Sequence, residues 1–319
     1  MGAASTPASS PVRRAERCAD GDHTAGLKDR ELVAERLLKT SRRHSFDPDS
    51  EVRWDEPLDP DKFYLPPHTL SLYETPMWDA LSHREQVELS KHEMSSVAYQ
   101  GIWFEMILMQ VLLRYSYTAD LTSRHVQYAL TEIADECRHS KMFGDLVRKL
   151  ETPVYRPSAQ MMVEGHFLKT FGPRVSGFAG ALIVEEILDS VQRITFPDEQ
   201  LQPVIRDVTR IHVIEEARHV KYAREELRRI APRLNPARRE AARWIVARAV
   251  HLVLRNLVHP QAYAAVGLDP KAARAASLAN PHRRATGAWA TRKLRDFLDE
   301  VGLMGGPSLA LWRHVGAIE

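Results

Sequence analysis

Two seven-residue stretches carry the side chains best suited to chemistry. Asp135-Glu136-Cys137-Arg138-His139-Ser140-Lys141 and Glu215-Glu216-Ala217-Arg218-His219-Val220-Lys221 share one pattern: acid, Glu, small residue, Arg, His, any residue, Lys. They start 80 residues apart, and the same shift lays Glu105-Met106-Ile107-Leu108 over Glu185-Glu186-Ile187-Leu188. Each copy therefore places a Glu 31 residues before a Glu-x-x-His, as a duplicated helix pair would. On an α-helix, residues i and i+3 share a face, so Glu136 with His139, and Glu216 with His219, can each grip one metal ion. The interval back to Glu105 and Glu185 allows for the rest of one helix, a turn and entry into an antiparallel neighbour.

Four helices are needed to position these groups, two giving one Glu and two giving Glu-x-x-His. That is the ligand set of the di-iron and di-manganese carboxylate bundles. An acid also stands three residues before His23, but in a polar N-terminal stretch with no matching partner. The alternative, that these are surface charges on amphipathic helices, does not account for repeat, spacing and helical face agreeing. The upstream ligand of the second copy is expected to be Glu185, which falls on the apolar stripe of Phe178, Ala181, Leu182, Leu188 and Val191; Glu186 is the fallback.

Neighbouring positions extend the pattern. His212 and Glu132 each precede a motif Glu by four residues and share its face. His212 is expected as a third histidine ligand, against the alternative of a buried His bonded to a neighbour. Glu132 is expected beside the metals rather than on them, receiving the free N–H of a ligating histidine. Asp135, Glu215, Arg138 and Arg218 lie off the metal face and are expected to pair between helices. His251 sits on an apolar stripe and is expected to pack. Gly101 and Ala181, one turn before the upstream Glu residues, leave room either for a substrate or for close helix packing.

The chain has 319 residues, 44 basic and 42 acidic, with a formal net charge of +2. That balance gives no reason to expect nucleic acid or a membrane surface as partner. The two cysteines, Cys18 and Cys137, lie in unlike contexts, which fits no disulfide framework and suggests a reducing cytoplasm. No apolar run reaches the roughly 18 to 20 residues of a membrane span, and the Arg-rich N-terminus lacks the apolar core of a secretory signal.

Residues 1–28 are read as a disordered tail, 29–80 as a short helix and an extended Pro-rich segment wrapped over the outside, and 81–319 as a helical bundle domain with further C-terminal helices. Helices are expected over 82–117, 121–150, 160–170, 175–195, 199–230, 236–258, 270–276 and 283–301. Ser82 and Glu85 resemble a capping box, and Pro203 is tolerable only in an opening turn. No strand pattern rises above noise. The fold class is all-α, a ferritin-like four-helix bundle carrying a di-iron site.

The set Glu105, Glu136-x-x-His139, Glu185 and His212-x-x-x-Glu216-x-x-His219 resembles the para-aminobenzoate N-oxygenase family of non-haem di-iron oxygenases, over roughly residues 60–260. In that family an extra histidine before the last Glu-x-x-His makes seven protein ligands, and all seven types find a match. The resemblance implies two iron ions, with manganese as second choice, and O2 as co-substrate. Glu105, Glu136 and His139 would hold one iron and Glu185, His212, Glu216 and His219 the other. It further implies an enzyme of bacterial natural-product pathways that oxidises a small molecule, by N-oxygenation of an amine or hydroxylation of carbon. Glu132, Arg138 and Arg218 lie outside the family's ligand pattern, and no substrate-binding residue can be matched.

A small-molecule substrate, free or carrier-bound, is expected. With no Gly-x-Gly-x-x-Gly fingerprint and no Cys cluster, electrons are expected from a separate reductase. A homodimer is expected, as is usual for bundles of this kind. The alternative function is iron handling by a ferritin-like ferroxidase. Length, extra helices after residue 236 and the third histidine weigh against it.

Overall fold

The computed structural model of the protein describes residues 29–318; the expected N-terminal tail, with Cys18 and His23, lies outside the described residues. Helix α1 (Arg30–Arg43) starts where the Asp29 carboxylate accepts from the backbone N–H groups of Glu31 and Leu32. The Pro-rich segment that follows contains two single turns of helix, α2 (Pro48–Glu51) and α3 (Pro76–Asp79), each opened by its proline.

The bundle begins with α4 (His83–Tyr117), and the Ser82–Glu85 capping box forms as the spacing predicts. Helix α5 (Arg124–Lys149) starts three residues after Leu121, because Asp120 to Ser123 first close a turn. Then come α6 (Ala159–Phe171), α7 (Arg174–Thr195) and α8 (Pro203–Ile230). Helix α8 opens at Pro203 rather than at Glu199. The preceding residues are drawn aside because Gln202 donates its N–H to Phe63 O at 3.0 Å and its side chain to the carbonyls of Asp59 and Lys62.

Helices α9 (Pro236–Asn256), α10 (Gln261–Ala264) and α11 (Pro270–Ala279) follow. The single helix expected over 283–301 is instead α12 (Pro281–Ala290) and α13 (Arg292–Glu300). Thr291 divides them, with φ −88° and ψ −2°, its hydroxyl bonding back to Gly287 O at 2.8 Å. A last short helix, α14 (Leu309–His314), was not expected. Among the described residues there is no strand, only the single bridge between Phe63 and Leu201.

Helices α4 and α5 form one hairpin and α7 and α8 the other, and the two face each other through α4 against α7 and α5 against α8. The 80-residue repeat is therefore a repeat of helix hairpins. Helix α1 lies along α5 and α8, α9 covers α7, and α6 lies on α4. Helix α4 is the one helix among the described residues long and apolar enough to cross a membrane, yet here it is a central helix of the bundle.

The apolar core is in two parts, with a polar layer between them on three of the four helices. One part includes Leu108 and Leu112 of α4, Tyr128 and Ala129 of α5, and Tyr222, Ala223 and Leu227 of α8. The other includes Met94 and Ala98, Met142, Phe143 and Leu146, and Val204, Ile205, Val208 and Ile211. Charges between two dry cores are costly unless something in the layer compensates them.

One buried acid ties the wrapping segment down. Glu93 of α4 is 1% exposed and accepts from Ser71 N–H at 3.0 Å and Ser71 Oγ at 2.5 Å, while Ser71 Oγ meets Tyr263 Oη at 2.9 Å. Burial pushes its carboxyl from the ordinary 4.5 up to about 7 in spite of those bonds. The folded state therefore holds a proton that the unfolded chain gives up, so stability is lost as pH rises from about 4.5 to 7, by about 3 kcal/mol in all. Urea unfolding at pH 4.5 and pH 8 should show that loss, and Glu93→Gln should flatten the difference by about 3 kcal/mol. Equal pH dependence in both proteins would contradict the assignment.

Candidate metal centre

The polar layer is made by Glu105 of α4, Glu132, Glu136 and His139 of α5, Glu185 of α7, and His212, Glu216 and His219 of α8. None is more than 5% exposed. Their donor atoms fall into overlapping groups of three, each within 4.8 Å. Glu136 presents Oε2 to His139 Nδ1 and Oε1 to His219 Nδ1, both at 2.9 Å. Glu216 does the same, with Oε1 at 3.1 Å from His139 Nδ1 and Oε2 at 3.0 Å from His219 Nδ1. Two carboxylates thus face both motif histidines.

His212 turns Nε2 inward, 3.5 Å from Glu105 Oε1 and 3.7 Å from Glu216 Oε1. Its Nδ1 faces Gln192 Oε1 at 2.8 Å. Both alternatives weighed for it from sequence meet in one side chain: it is hydrogen-bonded to a neighbour and aimed into the cluster. Glu185 groups with His212 and Glu216, and also with Glu105 and Glu136. Glu186 points away and pairs with Arg224 at 2.5 Å.

The outer ring nitrogens of the motif histidines are also held. His139 Nε2 meets Glu215 Oε2 at 2.8 Å and His219 Nε2 meets Asp135 Oδ2 at 3.2 Å. Each acid thus orients the histidine of the other copy, across the α5–α8 contact. The sequence pattern assigns that place to Glu132 and predicts for Asp135 and Glu215 only pairing between helices. They do pair: Arg138 reaches Asp135 at 2.6 Å and Glu215 at 3.1 Å, and Arg218 reaches Asp135 at 3.1 Å. The acids' second contact was missed. Its signal was the residue just before each ligand Glu, whose side chain points sideways to the adjacent helix. Arg218 also donates to His44 O at 2.9 Å, and Phe46 N–H donates to Glu215 Oε1 at 3.1 Å, so the chain after α1 closes over this network.

Protonation preferences follow from burial and crowding. Burial and neighbouring carboxylates push Glu105 and Glu185 far above the usual range. Burial likewise raises Glu132, to about 8. Burial opposes ionisation of Glu216 and of the histidines too, but Glu216 is held well below its ordinary value by His219 and His212, and His139 and His219 well above theirs by the facing carboxylates. Asp135, which burial alone would raise, is held at about 2 by His219 and Arg138.

The residues fit a pair of metal ions. Glu105 Oε2, Glu132 Oε2 and Glu185 Oε2 are buried with no hydrogen-bond partner in the protein, an arrangement that costs several kcal/mol unless a cation is present. Four of the carboxylates (Glu105, Glu136, Glu185, Glu216) would balance two divalent ions. Carboxylate oxygen with imidazole nitrogen suits iron or manganese.

A cavity of about 680 Å³ reaches this centre at Glu185, between α4, α6, α7 and α9. Its walls include Trp103, Ile107, Leu168, Val184 and Trp244. The two small residues singled out in the sequence part company here. Ala181 lines the cavity, whereas a Cβ on Gly101 would sit 3.6 Å from Phe143, in ordinary packing. His251 stacks on His314, ring centroids 5.3 Å apart, away from the cluster.

A family model described as P-aminobenzoate N-oxygenase AurF matches residues 27–302. An uncharacterized protein of Mycobacterium tuberculosis is 32% identical over 243 residues, which is 74% of this chain and 69% of the relative. An uncharacterized protein of Mycobacterium bovis matches to the same extent.

Proposed function

The chain belongs to the p-aminobenzoate N-oxygenase family, and from that premise we propose that it is a non-haem di-iron monooxygenase. Its reaction would oxidise a small molecule with O2, by N-oxygenation of an amine or hydroxylation of carbon. One observation carries this reading: seven buried Glu and His side chains from four helices cluster together, and an apolar cavity reaches that cluster at Glu185. We assign Glu105, Glu136 and His139 to one iron and Glu185, His212, Glu216 and His219 to the other. Glu136 and Glu216, each facing both motif histidines, would be able to serve either iron. Glu132, whose carboxylate groups with Glu136 and His219, is assigned as a neighbour of the pair, since four carboxylates already balance two divalent ions.

Bound iron would relay electrons to dioxygen, of which the substrate gives two per turnover and the other two must reach the site from outside the chain. The protein's own contribution is geometric and dielectric. Asp135, Glu215 and Gln192 fix the rings of His219, His139 and His212, so that one nitrogen of each faces inward. The apolar walls around Trp103, Val184 and Trp244 exclude bulk water from the side where substrate enters. We place the same enzyme in the cytoplasm, as a homodimer served by a separate reductase, with no nucleic acid or membrane partner and iron preferred to manganese. The cavity favours this reading over a ferroxidase or iron store, which has no use for an apolar chamber.

Turnover with isotopically labelled dioxygen tests the reading. Iron-loaded protein, a reductant and a panel of aryl amines and apolar carbon substrates should give a product carrying labelled oxygen. Ferric iron formed with no labelled product from any of them would point to the ferroxidase instead.

A further inference from the structure

The reaction class leaves the kind of substrate open, and the cavity narrows it. A cavity of about 150 Å³ is enough to hold benzene, and this one is about 680 Å³, far more than a single aromatic ring needs. Its charged lining consists of Glu185 at the inner end and Glu164 with Arg248. Those last two neutralise each other, Arg248 Nε lying 2.9 Å from Glu164 Oε2 and Nη2 2.6 Å from Oε1. Both oxygens of Glu164 and two guanidinium nitrogens are used, so the one cation among the described residues of the lining already has its counter-ion.

The walls keep the chamber open and continue it outward. Helix α6 approaches α4 so closely that a Cβ on Gly165 would sit 2.6 Å from the Trp103 ring. The indole thus becomes a wall rather than a filler. On α7, Ala181 lines the space with only a methyl group, while Gly177 and Gly180 let Val111 and Leu168 pack close, a Cβ there lying 2.5 Å and 3.1 Å from them. Phe167 and Phe171 of α6 line the cavity while remaining 60% and 69% exposed, which extends an apolar track to the surface.

We propose that this cavity takes an elongated, apolar, uncharged molecule, larger than a one-ring carboxylated aryl amine, with one end at Glu185 and the other leaving past Phe167 and Phe171. The inference rests on the oxygenase reading only for which end reacts; binding itself does not depend on metal. Burying a carboxylate in such a chamber costs its hydration with no cation to replace it, whereas an alkyl or polycyclic body gains with each apolar group buried.

The test is displacement of N-phenylnaphthylamine, a neutral apolar fluorophore that accepts energy from Trp103 and Trp244, measured with and without bound iron. Dodecanol should displace it at concentrations about tenfold lower than dodecanoate, and p-aminobenzoate should displace it at neither range. Ala181→Phe and Ala249→Phe, which fill the chamber from α7 and α9, should each weaken probe binding about tenfold or more. The inference is overturned if p-aminobenzoate competes as well as dodecanol, or if either filled variant keeps parent affinity with parent helicity and Tm. The alcohol and acid comparison needs no variant, so it decides the matter even if both fillings unfold the chain. Two irons bound without probe binding would sink this inference alone, and probe binding by a protein that cannot be loaded with iron would sink the oxygenase reading alone.

Discussion

Glu216→Ala is expected to empty both metal positions, taking iron from about two per chain to less than about a tenth of that. Glu216 is the hub of the cluster. Its two oxygens stand 3.1 Å and 3.0 Å from the Nδ1 atoms of His139 and His219, and His212 Nε2 lies 3.7 Å away. Removing it takes a ligand from each ion at once and leaves three carboxylates to balance the charge of two divalent cations. Glu186→Ala is the matched control, because Glu186 pairs with Arg224 outside the cluster, and its iron content should stay near that of the parent. His212→Ala should fall between them, losing chiefly the iron shared with Glu185. Metal analysis of the three purified variants, with helicity checked by circular dichroism, reads the order directly. Loss of iron in Glu186→Ala with retention in Glu216→Ala would show that the wrong faces of α7 and α8 had been chosen.

Asp135→Ala is expected to act on stability and metal affinity together. The Asp135 carboxylate joins Arg138 at 2.6 Å, Arg218 at 3.1 Å and His219 Nε2 at 3.2 Å. The Arg218 side chain is only 5% exposed, and without Asp135 its nearest acid is Glu215 at 3.6 Å. Breaking a buried pair by removing one partner costs about 3–5 kcal/mol. Freeing the outer nitrogen of a ligating histidine weakens metal binding about 10- to 100-fold. Urea unfolding and iron titration should therefore both move, and Asp135→Asn, which keeps shape and a hydrogen-bonding oxygen, should recover part of the iron affinity. Glu215→Gln should have its metal effect through His139 instead. Parent iron affinity in Asp135→Ala would mean that His219 needs no support from behind.

The two hairpins and the eight groups of the polar layer could be read from the sequence because helical period constrains them tightly. An i and i+3 pair repeated at a fixed interval allows few arrangements in three dimensions, and a Glu inside the run Trp103 to Leu112 needs a compensating partner. The orienting roles of Asp135, Glu215 and Gln192 were harder to see. They depend on how α5, α7 and α8 face one another, and a single helix's period shows only that such residues point sideways. The cavity was hidden for a related reason, since its walls come from four helices and its size depends on how closely α6 approaches Trp103. The late start of α8 turned on the bonds of Gln202 to Asp59, Lys62 and Phe63, distant in sequence, which carry no periodic signal, and neither does the break at Thr291.

The measurement that bears most directly on the central claim is the metal content of the intact protein, produced with iron available and purified without chelators. About two irons per chain are expected, lost together on chelation and restored together. A protein that binds no iron under these conditions, or holds a single zinc, would contradict the di-iron assignment and leave Glu105, Glu136, Glu185 and Glu216 without an explanation for their burial.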